Sequence, residues 1–290
     1  MAENGACVPV GDTGLMRNQR LDDIDPEEER LRGARSVEED EKTVEEVLLS
    51  HLDPLIEDHL IAEVIRPIKA GKEAVVYCCR EHESLGGELI AAKIYRPVEQ
   101  RSFKRDAVYQ QGRERGARPD ARTLRALGKK TKRGRLHKFS AWIAHEMRTL
   151  TLLHQAGADV PAPIDRVGPV ILMQYFGDAK APAPVLVNVT LDADEVTTIY
   201  KQILTNIELF LVHHRVHADL SAYNILYVED RVVIIDFPQS VDPRYNDDAF
   251  DLLVRDLKNV NAYFSGYEIE AVDPFYHTLD LWRKYVDPMR

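Results

Sequence analysis

The sequence is poor in cysteine and tryptophan and has no long apolar run. Its three cysteines are Cys7 and the adjacent pair Cys78 and Cys79. No two have zinc-ligand or CxxC spacing, and neighbours in sequence rarely bridge, so a disulfide scaffold is excluded and reduced thiols are expected. The longest apolar stretches, such as Val170–Met173 and Val232–Ile235, fall far short of the ~18–20 residues of a spanning helix, so no membrane partner is expected. The first residues, MAENGACVPVGDTG, lack a basic stretch followed by an apolar one; a secretory leader is not expected, and the expected location is cytoplasmic. No internal repeat is visible. What remains is ordinary: 290 residues, 44% apolar and 30% charged. That composition excludes collagen-like, mucin-like and wholly disordered chains and allows one or two domains with a large core.

The formal charge of -10 is unevenly spread. Residues 1–60 hold 17 acids and 6 bases, whereas residues 96–138 hold 15 bases and 4 acids. The polar, aromatic-poor residues 1–42 predict a flexible acidic arm, with a folded domain over 43–290. Within the arm, Asp25-Pro26-Glu27-Glu28-Glu29-Arg30 has the residues of a first helical turn. The basic segment 96–138 has few aromatics, so any RNA or ribosome contact through it would be to phosphates rather than by base stacking.

The pattern predicts strands first and helices later. Apolar residues from Val44 to Ile61 suggest one or two short helices broken near Pro54. Ile65–Cys79 reads as strand, Gly71-containing turn, strand, and Glu88–Tyr95 as a further strand carrying Lys93. Lys138–Gly157 reads as a helix with Ser140 as N-cap and Gly157 as stop; Glu146 falls on its apolar stripe of Trp142, Ile143, Met147, Leu150 and Leu153. A carboxylate there is costly unless a cation meets it. Val170–Tyr175 is a short strand, Ala179–Pro184 a linker, Asp192–Val212 a strong helix. Asn224–Val228 and Arg231–Ile235 form a hairpin about Glu229-Asp230, and Asp247–Phe264 is another helix. The order gives an α+β fold with a β-rich N-lobe (about 60–177) and a helical C-lobe (about 185–290).

Four polar features lie at element ends or on apolar faces. They are Lys93, Glu146, the loop His217-Ala218-Asp219-Leu220-Ser221-Ala222-Tyr223-Asn224, and Asp236 at the end of the hairpin. Asp219, Asn224 and Asp236 offer hard oxygen donors suited to Mg²⁺, and a Lys–Glu pair suits phosphates. Each piece alone has a bland alternative: a strand Lys usually faces solvent, and His217 suits a structural role better than a base. Together, in this order, they form the layout of phosphoryl transfer.

These motifs resemble the RIO atypical protein kinases over about Glu45–Phe264. The carrying stretches are Gly71-Lys72-Glu73-Ala74, Ala92-Lys93-Ile94-Tyr95, Ser102-Phe103-Lys104, Glu146-Met147-Arg148, Pro182-Ala183-Pro184, the His217–Leu226 loop and Ile234-Ile235-Asp236-Phe237-Pro238-Gln239-Ser240. The Tyr109-Gln110-Gln111-Gly112-Arg113 run is similar to bacterial members. The resemblance implies a two-lobed protein-kinase-like fold with an extra N-terminal helix and a shortened activation segment. It implies ATP and Mg²⁺, with Asp219 catalytic, Asn224 and Asp236 on the metal, and Lys93 on phosphate, fixed by Glu146. Gly71, Lys72, Glu73 and Ala74 would form the phosphate loop; Gln174 and Phe176 would face adenine, with Met173 behind it. In the family the residue at the Asp236 position can itself take the phosphoryl group.

The sequence also departs from ordinary protein kinases. There is no G-x-G-x-x-G, Asp236 is followed by Phe237-Pro238, and no A-P-E follows. This favours an ATP-hydrolysing switch or a kinase of narrow substrate range, itself included, over a broad Ser/Thr kinase. Alternatives are a nucleotide-gated ribosome- or RNA-binding module and a small-molecule phosphotransferase, which shares the His-x-Asp-x-x-x-x-Asn loop; Phe237-Pro238-Gln239 argues against the latter. The basic segment 96–138 reads either as an RNA contact or as a lid over ATP, and the scarcity of aromatics favours the lid.

Overall fold

The computed structural model describes residues 45–96 and 132–289. The expected acidic arm over 1–42 and most of the basic segment lie outside them. The chain forms two units, Met1–Val47 and Leu48–Arg290; the second holds all that follows.

A short helix α1 (Asp53–Glu57), with Pro54 in its first turn, precedes a five-stranded antiparallel sheet. Proline is tolerated there because a first-turn N–H has no partner to lose. The strands are β1 (Ile61–Ala70), β2 (Ala74–Glu81), β3 (Leu89–Tyr95), β4 (Pro163–Val167) and β5 (Val170–Gln174), in the order β1-β2-β3-β5-β4. Gly71–Glu73 turns β1 into β2, closed by the Gly71 N–H donating to the Ala74 carbonyl at 2.9 Å. Strand β4 was not expected. Its Pro163, Asp165 and Arg166 break the apolar pattern, which an edge strand paired only to β5 tolerates. Every residue of β3 from Ile90 to Tyr95 is buried, Lys93 included, so the lysine has no solvated face.

Helix α2 (Lys132–Gln155) packs on this sheet through Phe139, Trp142, Ile143 and Met147. It starts earlier than the sequence suggested. Ser140 is therefore not an N-cap: it lies inside the helix, and its Oγ accepts from Arg166 Nη2 at 2.9 Å. The tail of the basic segment forms the first turns of this helix. Gly157, at φ +83, ends the stretch as expected.

The helical lobe is built on α3 (Ala193–Val212), which opens with a capping box: Glu195 Oε2 accepts from the Asp192 N–H at 3.2 Å. The hairpin β6 (Ile225–Val228) and β7 (Arg231–Ile234) turns through Glu229 (φ 46) and Asp230 (φ 63), the paired positive φ of a type I′ turn. Helix α4 (Ala249–Phe264) follows residues 237–248, the short segment expected after Asp236. A last helix, α5 (Pro274–Tyr285), was missed, although Asp273 caps it by accepting from the Phe275 and Tyr276 N–H groups. Ile199, Ile203, Phe210, Ile234, Phe237, Leu257 and Phe264 are essentially inaccessible in one core, each contributing about 1.5–3 kcal/mol by burial. An antiparallel sheet with α2, followed by a helical lobe, is the α+β kinase-like architecture. Cys78 and Cys79 are both free and buried.

Candidate active site

The sheet, α2 and the hairpin deliver three charged groups to one point. Lys93 Nζ donates to Glu146 Oε1 at 2.7 Å and to Asp236 Oδ1 at 2.6 Å. Glu146 reaches it because it sits on the buried stripe of α2, and Asp236 because β7 ends there. Burial alone would lower the lysine's pKa, but the two carboxylates outweigh it and hold the ammonium above its ordinary range. Burial raises Glu146, against the pull of Lys93. Asp236 ends below the usual carboxylate range, because Lys93 outweighs the cost of its burial.

Asp236 stands at φ 74 and Ala218 at φ 64. Left-handed backbone costs a non-glycine residue about 1–2 kcal/mol and persists only where the surroundings fix it. For Ala218 the fixing group is Asp256 of α4. Its carboxylate accepts from the Ala218 N–H at 2.7 Å and the Leu220 N–H at 3.0 Å. Arg255 donates to the Ala218 carbonyl, and Asn259 Nδ2 to the Leu220 carbonyl at 3.0 Å. Burial pushes the Asp256 carboxyl up to about 7, against both amides.

The loop so anchored presents Asp219 exposed at its tip. Asn224 Nδ2 donates to the Asp219 carbonyl at 2.9 Å, which directs the amide oxygen away from that carbonyl. The Ile235 N–H donates to the Asn224 carbonyl at 2.9 Å, so the loop and the Asp236 strand are bonded side by side. His217 is structural, in keeping with the sequence: its Nε2 lies 3.1 Å from the Ile235 carbonyl and its ring packs on Phe237, 4.7 Å between centroids. Burial pushes its pKa down to about 4, which keeps it neutral.

Above the site, the Gly71 carbonyl accepts from Arg96 Nε at 3.1 Å. Glu73 Oε1 accepts from Gln239 Nε2 at 3.4 Å, so the turn that holds Gly71, Lys72, Glu73 and Ala74 touches the segment after Asp236. At the linker between the lobes, Met173 is half-buried against the sheet core. The Gln174 N–H donates to the Ala162 carbonyl and the Phe176 carbonyl accepts from the Ala183 N–H, both at 2.8 Å. Among the described residues, no group of three or more His, Cys, Asp or Glu side chains forms a metal cluster.

Asp256, Arg255 and Asn259 were not singled out in the sequence. The signal for Asp256 was present: it lies on the buried face of α4 with Leu253, Leu257 and Val260, the position that drew notice to Glu146 on α2.

Residues 75–276 match the family model of the RIO domain. The chain belongs to the RIO family. It is 33% identical over 256 residues to the RIO-type serine/threonine-protein kinase Rio1 of Methanocaldococcus jannaschii, covering 86% of this chain and 80% of that one. It is 32% identical over 212 residues to the serine/threonine-protein kinase rio1 of Schizosaccharomyces pombe, covering 72% of this chain but 40% of that protein. The RIO chain thus spans less than half the length of the yeast relative. In shape it is similar to the Rio2 kinase–ADP/Mg²⁺–phosphoaspartate complex of Chaetomium thermophilum, with a TM-score of 0.52 and 18% identity, covering 82% of this chain and 73% of that one. That likeness is one of fold. No described helix is long and apolar enough to cross a membrane.

Proposed function

We propose that this RIO chain transfers the γ-phosphoryl group of ATP, as a serine/threonine protein kinase of narrow substrate range, itself included, or as an ATP-hydrolysing switch. The observation that carries the reading is the double contact of Lys93 with Glu146 and Asp236 beside the exposed Asp219. Lys93 would hold phosphate oxygens, and Glu146 keeps it charged and aimed. Asp219 would orient the attacking group or accept its proton. The Gln174 N–H and the Phe176 carbonyl are already engaged, which leaves the Gln174 carbonyl and the Phe176 N–H to meet adenine in front of Met173.

The donor set fits Mg²⁺. Asn224 has its amide nitrogen anchored and its oxygen directed elsewhere. Asp236 gives one oxygen to Lys93 and keeps its side chain 39% exposed. Both supply hard oxygen, the ligand type Mg²⁺ selects. When bound, the ion supplies charge neutralisation for the phosphates.

The short segment over residues 237–248 supports narrow substrate range, because it leaves little chain on which to dock a peptide. Incubation with γ-labelled ATP and Mg²⁺, followed by acid and hydroxylamine treatment of the protein, tests the reading. Label that survives both hot acid and hydroxylamine marks a hydroxyl acceptor, and label released by hydroxylamine marks a carboxyl acceptor such as Asp236. Absence of both label and released phosphate would refute the proposal.

We also propose that the basic segment, up to the start of α2 at Lys132, is a lid over ATP rather than an RNA contact, from its charge and few aromatics. Replacing Lys129, Lys130, Lys132 and Arg133 by Ser should raise the KM for ATP and leave RNA affinity unchanged. If the segment binds RNA, the same change should instead flatten the salt dependence of affinity, by about 0.7 in slope for each phosphate no longer neutralised.

A further inference from the structure

Residues 236–240 form a turn tied at both ends to one stretch of α2, at its start through Lys93 of β3 and at its end directly. At its start, Asp236 Oδ1 accepts from Lys93, which also donates to Glu146. At its end, the Ser240 carbonyl lies 2.9 Å and the Ser240 hydroxyl 3.1 Å from His145 Nε2. A carbonyl only accepts, so Nε2 carries the hydrogen. Ser240 Oγ donates on to Thr149 Oγ1 at 3.3 Å, which also accepts from Arg215 Nε at 3.2 Å. His145, Thr149 and Ser240 are all buried, where a broken hydrogen bond costs about 1–3 kcal/mol.

The sequence positions matter as much as the distances. His145 immediately precedes Glu146, and Thr149 follows one turn later on the same face. Consecutive side chains of α2 are therefore linked to both ends of the turn that carries Asp236, Glu146 through Lys93 and His145 directly. Between those ends the turn is stiff. The Ser240 N–H donates to the Phe237 carbonyl at 3.0 Å, and buried Phe237 packs against Phe210 and His217.

We propose that His145 and Ser240 are a positioning pair. By docking the far end of the turn on α2, they fix how the Asp236 carboxylate faces Lys93 and Asn224. They also make the reacting geometry depend on where α2 sits. Neither residue touches a reacting atom; both act through Asp236. The inference rests on the phosphoryl-transfer reading of the site, and a misplacement of about 1 Å in such a site can cost on the order of a hundredfold in rate.

The test compares the full chain with its His145→Leu, His145→Gln and Ser240→Ala variants. Leucine removes the N–H, whereas glutamine keeps a donor able to reach the Ser240 carbonyl. Steady-state ATP turnover, thermal unfolding and amide hydrogen exchange are measured on each. His145→Leu should lower kcat by about tenfold or more with KM for ATP within about twofold, the mark of an interaction that acts in the reacting geometry. His145→Gln should recover most of that loss, and Ser240→Ala should lose less than His145→Leu because the carbonyl remains. Exchange at residues 236–242 should quicken in His145→Leu while that of α4 stays unchanged. Unaltered kcat in His145→Leu, or equal losses in the Leu and Gln variants that track a fall in Tm, overturns the positioning role. If the unsubstituted protein turns over no ATP, the phosphoryl-transfer reading fails on its own. The exchange comparison then still decides the clasp, and unchanged exchange at 236–242 overturns it.

Discussion

Lys93 and Asp236 lie 143 residues apart and meet at 2.6 Å. The lysine is buried and shared with Glu146, so removing it leaves a carboxylate in the core without its cation. Breaking such a pair from one side costs about 3–5 kcal/mol, whereas replacing both partners by apolar residues is often close to neutral.

Lys93→Met should therefore lower both stability and ATP turnover, the latter about tenfold or more. Adding Glu146→Leu should restore most of the stability and none of the turnover. Urea denaturation beside an ATPase assay separates the two effects. Near-normal turnover in a folded Lys93→Met protein would remove the lysine from the proposed chemistry.

Asp219 is exposed, so its substitution should leave the fold intact. Asp219→Asn should lose turnover far more than nucleotide binding, because an orienting group acts in the reacting geometry. Parallel loss in a binding titration would assign the residue to ground-state binding instead.

Asp256 holds two amides of the loop that presents Asp219. Asp256→Asn turns one of its accepting positions into a donor, leaving an N–H without an acceptor at a cost of about 1–3 kcal/mol. Turnover should fall with it, as Ala218 loses its restraint at φ 64. A Tm equal to that of the parent would show that the loop is held by Arg255 and Asn259 alone.

The same variant exposes a pH dependence. His217 has its pKa pushed down to about 4 from 6.5. The unfolded chain therefore binds the extra proton between those values, so the neutral ring's contribution is complete above pH 6.5 and is lost as pH falls to 4. It amounts to about 3 kcal/mol. Asp256 is pushed up from 3.8 to about 7, and its slope has the opposite sign: its contribution is complete below pH 4 and is lost as pH rises through 7. The two offset each other in the unsubstituted protein. In Asp256→Asn, stability should rise between pH 4 and 6.5 by up to about 3 kcal/mol. A flat profile in urea midpoints would mean that His217 takes up its proton inside the fold.

Gly177 stands at φ +128, and a Cβ there would come within 2.4 Å of the Ala181 carbonyl and 2.7 Å of Pro182 Cα. Both obstacles are backbone, so Gly177→Ala should force the linker apart. It should break the Gly177–Pro182 bridge and shift the ATP KM, since Phe176 is its neighbour. Unchanged KM and Tm would show that the linker rearranges freely.

Much of this protein is legible along the chain because its signals are local. The periodicity of α3 and α4, the Glu229-Asp230 turn and the stop at Gly157 each follow from residues a few positions apart. So does the identity of the polar set, since Lys93 and Glu146 interrupt the apolar elements that carry them, and Asp219, Asn224 and Asp236 stand in the loop and at the end of the hairpin. Ser140 misled for the same reason. A serine before an apolar stripe has the form of a cap, but nothing nearby shows that the helix has already begun at Lys132. Strand β4 was missed because an edge strand needs no apolar alternation, only a neighbour, and that neighbour is β5.

What the sequence determined by itself is therefore most of the elements, their order and the residue types available for chemistry. Only tertiary structure decided which groups meet. Nothing local pairs Lys93 with two carboxylates, sets Asp256 under the loop of Asp219, or brings His145 to Ser240 across 95 residues. Those contacts arise when the sheet, α2 and the helical lobe bury their apolar faces together, and a side chain's partner in a core is set by packing rather than by its place in the chain.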